Sequence, residues 1–108
     1  MNQINDRYTY RVTWSEEDGE YVGLCSEFPS MSWLAGTHNE ALTGILEAVR
    51  EVIVDMEESG EELPQPYSCR NFSGKFQVRI PPEAHRNLVV QAADSGVSLN
   101  RYVNLKLA

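Results

Sequence analysis

The segment GKFQVRIP, residues 74–81, has side chains that alternate between polar and apolar without interruption. The polar set is Lys75, Gln77 and Arg79, and the apolar set is Phe76, Val78 and Ile80. Because successive side chains of a strand point to opposite faces, this alternation predicts a β-strand with one buried face. No second strand is predicted after it, so we expect it to pair with the same strand of a second copy of the chain.

Two helices are predicted after this strand. The first begins at Pro82, which suits a first helical position, and ends at Ser95-Gly96. The second follows Ser98, a favourable N-cap residue. The apolar stripes of the two helices are Ala84, Leu88 and Ala92, and Leu99, Tyr102, Val103 and Leu107. A unit of about 35 residues without a metal or a disulfide rarely buries enough apolar surface alone, which again favours a dimer or a higher oligomer.

These residues resemble a known DNA-binding domain. The stretch GKFQVRIPPEAHRNLVVQAADSGVSLNRYV, residues 74–103, contains the turn Gly96-x-Ser98-x-Asn100 and is similar to the ribbon-helix-helix family. In that family two strands pair into a ribbon, a shape that fits the major groove, and their outward side chains read base edges. The residues implied as base readers here are Lys75, Gln77 and Arg79.

The chemistry of these residues agrees with DNA binding. Arginine and lysine suit the O6 and N7 acceptors of guanine, and glutamine can pair with N6 and N7 of adenine. The free amides at the start of the last helix, near Ser98, Leu99 and Asn100, would bind a phosphate. The alternative is that the strand and helices only form a dimer, with Lys75 and Arg79 keeping an exposed edge soluble.

The N-terminal region predicts a small antiparallel sheet covered by one long helix, so the fold class expected for the chain is α+β. Strands are predicted at residues 8–14, 20–25 and 31–35, and the Asp18-Gly19 pair supplies a hairpin turn. Thr37-His38-Asn39-Glu40 has the spacing of a capping box, so a helix should begin there. Apolar residues at helical spacing continue it to Ser59-Gly60, where glycine suits a left-handed cap.

A proline-rich stretch, Leu63-Pro64-Gln65-Pro66, follows this helix and cannot continue it. We therefore expect a first domain of residues 1–63, a connector of residues 64–73 and a dimerising domain of residues 74–108. Pairing of residues 67–72 with the sheet is an alternative to a free connector.

The net charge of −7 is divided unevenly along the chain. Residues 1–73 carry four arginines against fourteen acidic residues, a net charge of −10. Residues 74–108 carry five basic and two acidic residues, a net charge of +3. This asymmetry suggests a basic partner for the first part and an anionic partner for the second, although two solvated faces of unequal charge would give the same pattern.

The N-terminal part resembles a second family. The stretch YRVTWSEEDGEYVGLCSEFPSMSWLAGTHNEAL, residues 10–42, followed by a long helix and a proline-rich connector, is similar to the HicB antitoxins. The resemblance implies a small domain like a truncated ribonuclease H fold, joined to a DNA-binding domain. It also implies that the first domain neutralises a small basic HicA-like toxin that cleaves mRNA, and that the second represses the operon by binding operator DNA.

The resemblance does not identify which residues contact a toxin, so charge is the guide. The acidic residues expected to be exposed near the hairpin and after the second strand are Glu16, Glu17, Asp18, Glu20 and Glu27. We take these five as candidates for toxin binding. The alternative is that the turn is acidic for solubility.

Catalysis is the least supported function. Two-metal nucleases need carboxylates that converge from different strands, whereas the acids here are bunched at one turn or spread along a helix face. We find no motif for a nucleophile or for a phosphate-binding loop, so we expect no enzyme activity, no metal and no cofactor. A ribbon-helix-helix regulator whose first domain senses a small ligand stays as an alternative function.

The remaining features indicate the compartment. The chain lacks an apolar run of about 20 residues or a signal-peptide pattern, so we expect a cytoplasmic protein. In a reducing compartment, Cys25 and Cys69 should be free thiols, buried or half-buried.

Overall fold

The computed structural model describes residues 4–108, which form two compact units. The first ends at Phe72 and the second comprises Ser73–Ala108. The first contains an antiparallel sheet and one long helix, and the second contains two helices. The α+β class predicted from the sequence is confirmed. Among the described residues, no helix combines the length and the apolar character that crossing a membrane requires.

The sheet of the first unit has three antiparallel strands in the order β1-β2-β3. The strands are β1 (Tyr10–Ser15), β2 (Glu20–Cys25) and β3 (Ser32–Ala35). Gly19 has a φ of 65°, so the hairpin turn uses the left-handed backbone that the Asp-Gly pair predicts. The register places Val12 opposite Gly23 in β1 and β2, and Gly23 opposite Trp33 in β2 and β3.

Helix α1 (His38–Glu58) begins and ends as the sequence predicts. The Thr37 hydroxyl accepts a hydrogen bond from the amide of Glu40 at 3.2 Å. At the other end Gly60 has a φ of 72°, and the amide of Glu61 donates to the carbonyl oxygen of Met56 at 2.8 Å. Both ends therefore satisfy backbone groups that a helix leaves unpaired.

The core of the first unit lies between the sheet and α1. Its buried members are Tyr8, Cys25, Ile45, Val49 and Ile53. The two layers are in close contact at Gly23, because a Cβ atom there would lie 2.5 Å from the carbonyl oxygen of Ala41. Glycine is therefore needed at this position for α1 to pack on β2.

Residues 63–72 belong to the first unit and pack against other parts of it. Leu63 packs on the core, and the Tyr8 hydroxyl donates to the carbonyl oxygen of Pro64 at 2.7 Å. The Ser68 hydroxyl donates to the carbonyl oxygen of Arg7, also at 2.7 Å. The segment contains a short 3₁₀ helix, Tyr67–Cys69. Residues 67–72 form no strand, so the alternative that they pair with the sheet is wrong. The boundary between the two units therefore lies between Phe72 and Ser73, so residues 64–72 of the expected connector belong to the first unit.

The second unit contains α2 (Pro82–Asp94) and α3 (Leu99–Leu107). Gly96, with a φ of 71°, forms the turn between them, and the Tyr102 hydroxyl donates to Oε1 of Gln91 at 2.7 Å. Within residues 74–81, all of which the structure describes, no strand forms in the single chain. A strand needs a hydrogen-bonded neighbour, and the predicted neighbour is the same segment of a second copy.

Candidate nucleic-acid and partner surfaces

The three predicted base-reading side chains, Lys75, Gln77 and Arg79, are all exposed. They lie in a segment that begins at Gly74, whose φ is 81°. The hydroxyl of Ser73 accepts a hydrogen bond from the amide of Lys75 at 3.1 Å, which fixes the start of the segment. These three side chains are therefore accessible to a ligand that binds to the second unit.

The apolar side chains that alternate with them are exposed as well. Phe76 is 73% exposed, Val78 65% and Ile80 40%. The helices add further exposed apolar residues, namely Val89, Val90, Leu105 and Leu107. Leu107 was expected on the buried side of α3 and lies in solvent. Among residues 73–108, all described, Ala92 alone is buried, so the unit does not close a core within one chain.

The predicted phosphate site lies at the start of α3. The Ser98 hydroxyl accepts from the amide of Arg101 at 3.1 Å, and its carbonyl oxygen accepts from Tyr102. Helix geometry leaves the amides of Leu99 and Asn100 without an intrahelical partner. The backbone at this end therefore has donors for an anion, whereas the hydroxyl of Ser98 is used as the N-cap acceptor.

Four of the five acidic candidates lie at the β1-β2 hairpin. Two of them are engaged locally: Glu16 accepts from Nε1 of Trp14 at 2.6 Å, and Asp18 accepts from the Ser15 hydroxyl at 2.7 Å. Glu16, Glu17 and Asp18 are exposed, and Glu20 is half-buried. The hairpin therefore presents a compact group of carboxylates to solvent.

Glu27, the fifth candidate, is buried, and the expectation that it is exposed is wrong. Its carboxylate accepts from the amide of Thr9 at 2.9 Å, from the hydroxyl of Thr9 at 3.1 Å and from the amide of Tyr67 at 2.9 Å. Burial raises the pKa of Glu27, but the hydrogen bonds from Tyr67 and Thr9 outweigh it, so the pKa lies below its ordinary value. The hydrogen bonds of the Glu27 carboxylate are therefore made within the first unit.

The two thiols differ in their surroundings. Cys25 is buried in the core, and burial raises the pKa of its thiol. Cys69 is free and exposed, so the prediction of a buried or half-buried thiol holds for Cys25 and is wrong for Cys69. Within residues 4–108, no group of three or more His, Cys, Asp and Glu side chains is placed to hold a metal ion.

A cavity that is open to solvent lies beside β3 and was not predicted from the sequence. It has a volume of about 310 Å³ and is lined by Trp33, Asn39, Glu40, Thr43, Gly44 and Glu47. The Trp33 side chain is 47% exposed and lies against Gly44 of α1. The available signal was a glycine inside an otherwise regular helix, which often marks close packing.

The comparisons with known proteins give one match. A family model described as the HicB family matches residues 57–107, a little under half of the chain. The matched residues run from the end of α1 through α3 and include the alternating segment 74–81. Searches of curated proteins and of solved structures give no match. Over residues 57–107 the chain is therefore similar to the HicB family.

Proposed function

We propose that the protein is the antitoxin of a type II toxin-antitoxin system. It binds and neutralises a small basic HicA-like toxin that cleaves mRNA, and it represses its own operon through a dimeric β-ribbon. One observation carries this proposal: the HicB family match covers a unit whose apolar residues, including Phe76 and Val78, are exposed in the single chain. A unit of this kind gains a core when a second copy covers those residues.

The DNA-binding half of the proposal rests on residues 74–108. Pairing of two copies of segment 74–80 would bury the apolar side chains between the copies and place Lys75, Gln77 and Arg79 on the outer face of a ribbon-helix-helix domain. A two-stranded ribbon fits the major groove of B-DNA. The amides at the start of α3, at Leu99 and Asn100 after the Ser98 cap, would then bind a backbone phosphate.

The toxin-binding half rests on the charge of the first unit, which we propose to be a truncated ribonuclease H-like domain. Residues 1–73 carry a net charge of −10, which attracts a basic protein. The hairpin carboxylates of Glu16, Glu17, Asp18 and Glu20 form one part of the proposed contact surface. Glu27 is not part of it, because its carboxylate is bonded to Thr9 and Tyr67. We propose a cytoplasmic, non-catalytic protein that needs no cofactor.

A titration of DNA with the full chain tests the repressor role. Fluorescence anisotropy is measured with DNA from the protein's own promoter and with a scrambled duplex, each at several salt concentrations. Specific binding that weakens steeply with salt supports the proposal, because neutralised phosphates release counterions. Equal binding to both duplexes, with and without the toxin, contradicts it.

A co-purification tests the antitoxin role. The tagged full chain is expressed together with the product of the gene adjacent to its own, which the proposal expects to be a small basic toxin. We expect the two proteins to elute as one complex and the growth arrest caused by the basic protein to be relieved. A basic protein that elutes separately and still arrests growth contradicts this role.

A further inference from the structure

The cavity beside β3 is formed by the close packing of Trp33 on α1. Trp33 is opposite Gly23 in the sheet, and Gly23 faces α1. Directly paired residues of an antiparallel sheet share a face, so Trp33 also faces the helix. At Gly44 any side chain would collide with the indole ring, and this glycine therefore allows the ring to lie across the helix backbone.

One part of the ring is in contact with the helix and the other is open to solvent. The exposed fraction of Trp33 is 47%, so about half of this residue is accessible to solvent. The cavity of about 310 Å³ lies against this ring. Its volume is at the lower end of the range for ligand pockets, about 300 to 1,000 Å³, so there is room for a single side chain.

The polar lining of the cavity is acidic. Glu40 and Glu47 are on the same side of α1 as Gly44, because residues three and four apart along a helix are neighbours. Both are exposed at the cavity, and the other lining side chains, Asn39 and Thr43, offer further oxygen acceptors. None of the six lining residues is basic.

An indole ring beside two carboxylates matches the chemistry of a basic side chain. A guanidinium or ammonium group is attracted to the face of an indole, and arginine can at the same time donate hydrogen bonds to carboxylate oxygens. A phosphate or a nucleic acid would be repelled by Glu40 and Glu47. The net charge of −10 over residues 1–73 favours approach of a basic protein to this unit.

We propose that Trp33, Glu40 and Glu47 form a binding site for an arginine or lysine side chain of a basic partner protein. The identity of that partner rests on the proposed antitoxin function, whereas the chemistry of the site rests on the cavity itself. The site is separate in sequence from the acidic hairpin at residues 16–20 and gives the first unit a specific contact in addition to its general charge.

A single-tryptophan variant tests the site directly. The chain has two tryptophans, so Trp14→Phe in the full chain leaves Trp33 as the one fluorescent indole. The probe is a capped peptide of alternating arginine and glycine. We expect saturable quenching or a shift of the Trp33 emission. No change in emission at peptide concentrations up to the millimolar range overturns the site.

Two variants of equal net charge distinguish binding of the peptide at this site from general electrostatic attraction to the first unit. In the Trp14→Phe background, Glu40→Gln with Glu47→Gln should weaken peptide binding about five- to tenfold, as loss of two ion pairs beside an indole predicts. The control, Glu57→Gln with Glu58→Gln, removes the same charge from exposed residues at the end of the same helix. Equal weakening in both variants overturns the site.

Binding to the toxin that the proposed function expects, a small basic protein from the adjacent gene, distinguishes failure of the site from failure of the proposed function. If the natural sequence binds that protein and the Glu40→Gln, Glu47→Gln variant binds it several-fold more weakly than the control does, the site is supported as a partner contact. If both variants bind it equally tightly, the site is overturned while the antitoxin function stands. If the natural sequence does not bind it at all, the antitoxin function fails, and the peptide titration decides the chemistry of the site.

Discussion

The carboxylate of Glu27 accepts a hydrogen bond from the amide of Tyr67 at 2.9 Å, and the two residues are 40 positions apart in the chain. The same carboxylate is bonded to the amide and hydroxyl of Thr9, beside the start of β1. Glu27 therefore joins the sheet to the segment that follows α1. Because its oxygens are buried and satisfied by backbone donors, they stabilise the first unit rather than serve a partner.

Replacement of Glu27 by alanine should destabilise the first unit. The change removes the acceptor of two partly buried hydrogen bonds, those from the amides of Thr9 and Tyr67, so we expect the free energy of unfolding to fall by about 1 to 2 kcal/mol. Urea unfolding followed by tryptophan fluorescence measures it, since Trp14 and Trp33 both lie in this unit. The control is Glu17→Ala at the exposed hairpin, and an equal effect of the two changes would contradict the role of Glu27.

The same carboxylate should make the unit sensitive to acid. The pKa of Glu27 in the folded chain lies below its ordinary value of 4.5, so at acidic pH the unfolded chain binds the proton more readily than the folded chain does. Its stabilising contribution is thus complete above about pH 5 and is lost as the pH falls through the folded pKa. We expect the difference in unfolding free energy between the natural sequence and Glu27→Gln to shrink over this range. A difference that stays constant from pH 7 to pH 3 would count against this assignment.

Gly23 should tolerate no side chain. A Cβ atom there would lie 2.5 Å from the carbonyl oxygen of Ala41, and backbone of a packed helix cannot move away as a flexible side chain can. We expect Gly23→Ala to lower the free energy of unfolding by about 1 to 3 kcal/mol, the usual cost of overpacking. The matched control is Gly36→Ala, because a Cβ atom at Gly36 would meet nothing within 4 Å. Thermal unfolding of both variants should show a lower midpoint for the first alone.

The features that the sequence predicted are those set by local interactions. The Asp18-Gly19 turn and the Thr37 cap depend on residues within a few positions, and both are found as expected. The burial of Glu27 was missed because its donors come from Thr9 and from Tyr67, which no periodic pattern connects. The cavity at Trp33 was missed for the same reason, since it depends on how the sheet meets the helix.

The strand predicted at residues 74–80 is absent from the single chain for another reason, the need for a second copy of the chain. Its alternation is clear in the sequence, yet the single chain forms no strand within residues 74–81. Hydrogen bonding of a strand requires a neighbour, and none is present in one copy of the unit described by residues 73–108. The alternation therefore predicts a strand that forms when a second copy supplies the hydrogen-bonded neighbour.

A substitution at Val78 tests whether two copies of the chain pair through residues 74–80. The Val78 side chain is 65% exposed in the single chain, so Val78→Asp should leave the isolated chain folded and prevent burial of the strand face between two copies. We expect a dimer for the natural sequence and a monomer for the variant in analytical ultracentrifugation. The control is Val54→Asp, at a residue that is 48% exposed on α1 of the first unit. A dimer that survives Val78→Asp, or one that Val54→Asp also dissociates, would contradict pairing through residues 74–80.

A substitution at Arg79 tests whether the proposed ribbon recognises bases of the operator DNA. Arg79 is exposed, and on the proposed ribbon its guanidinium would form two hydrogen bonds with a guanine, so Arg79→Ala should cost about 1 to 3 kcal/mol of operator binding and relax the preference at one base pair. The matched control is Arg86→Ala, an exposed arginine of α2 outside the segment, which removes the same charge. Anisotropy titrations with operator duplexes changed at single base pairs measure both quantities. Because the toxin surface is proposed for the other unit, toxin binding should be unchanged in the Arg79 variant, and a variant that loses both activities would refute the separation of the two functions.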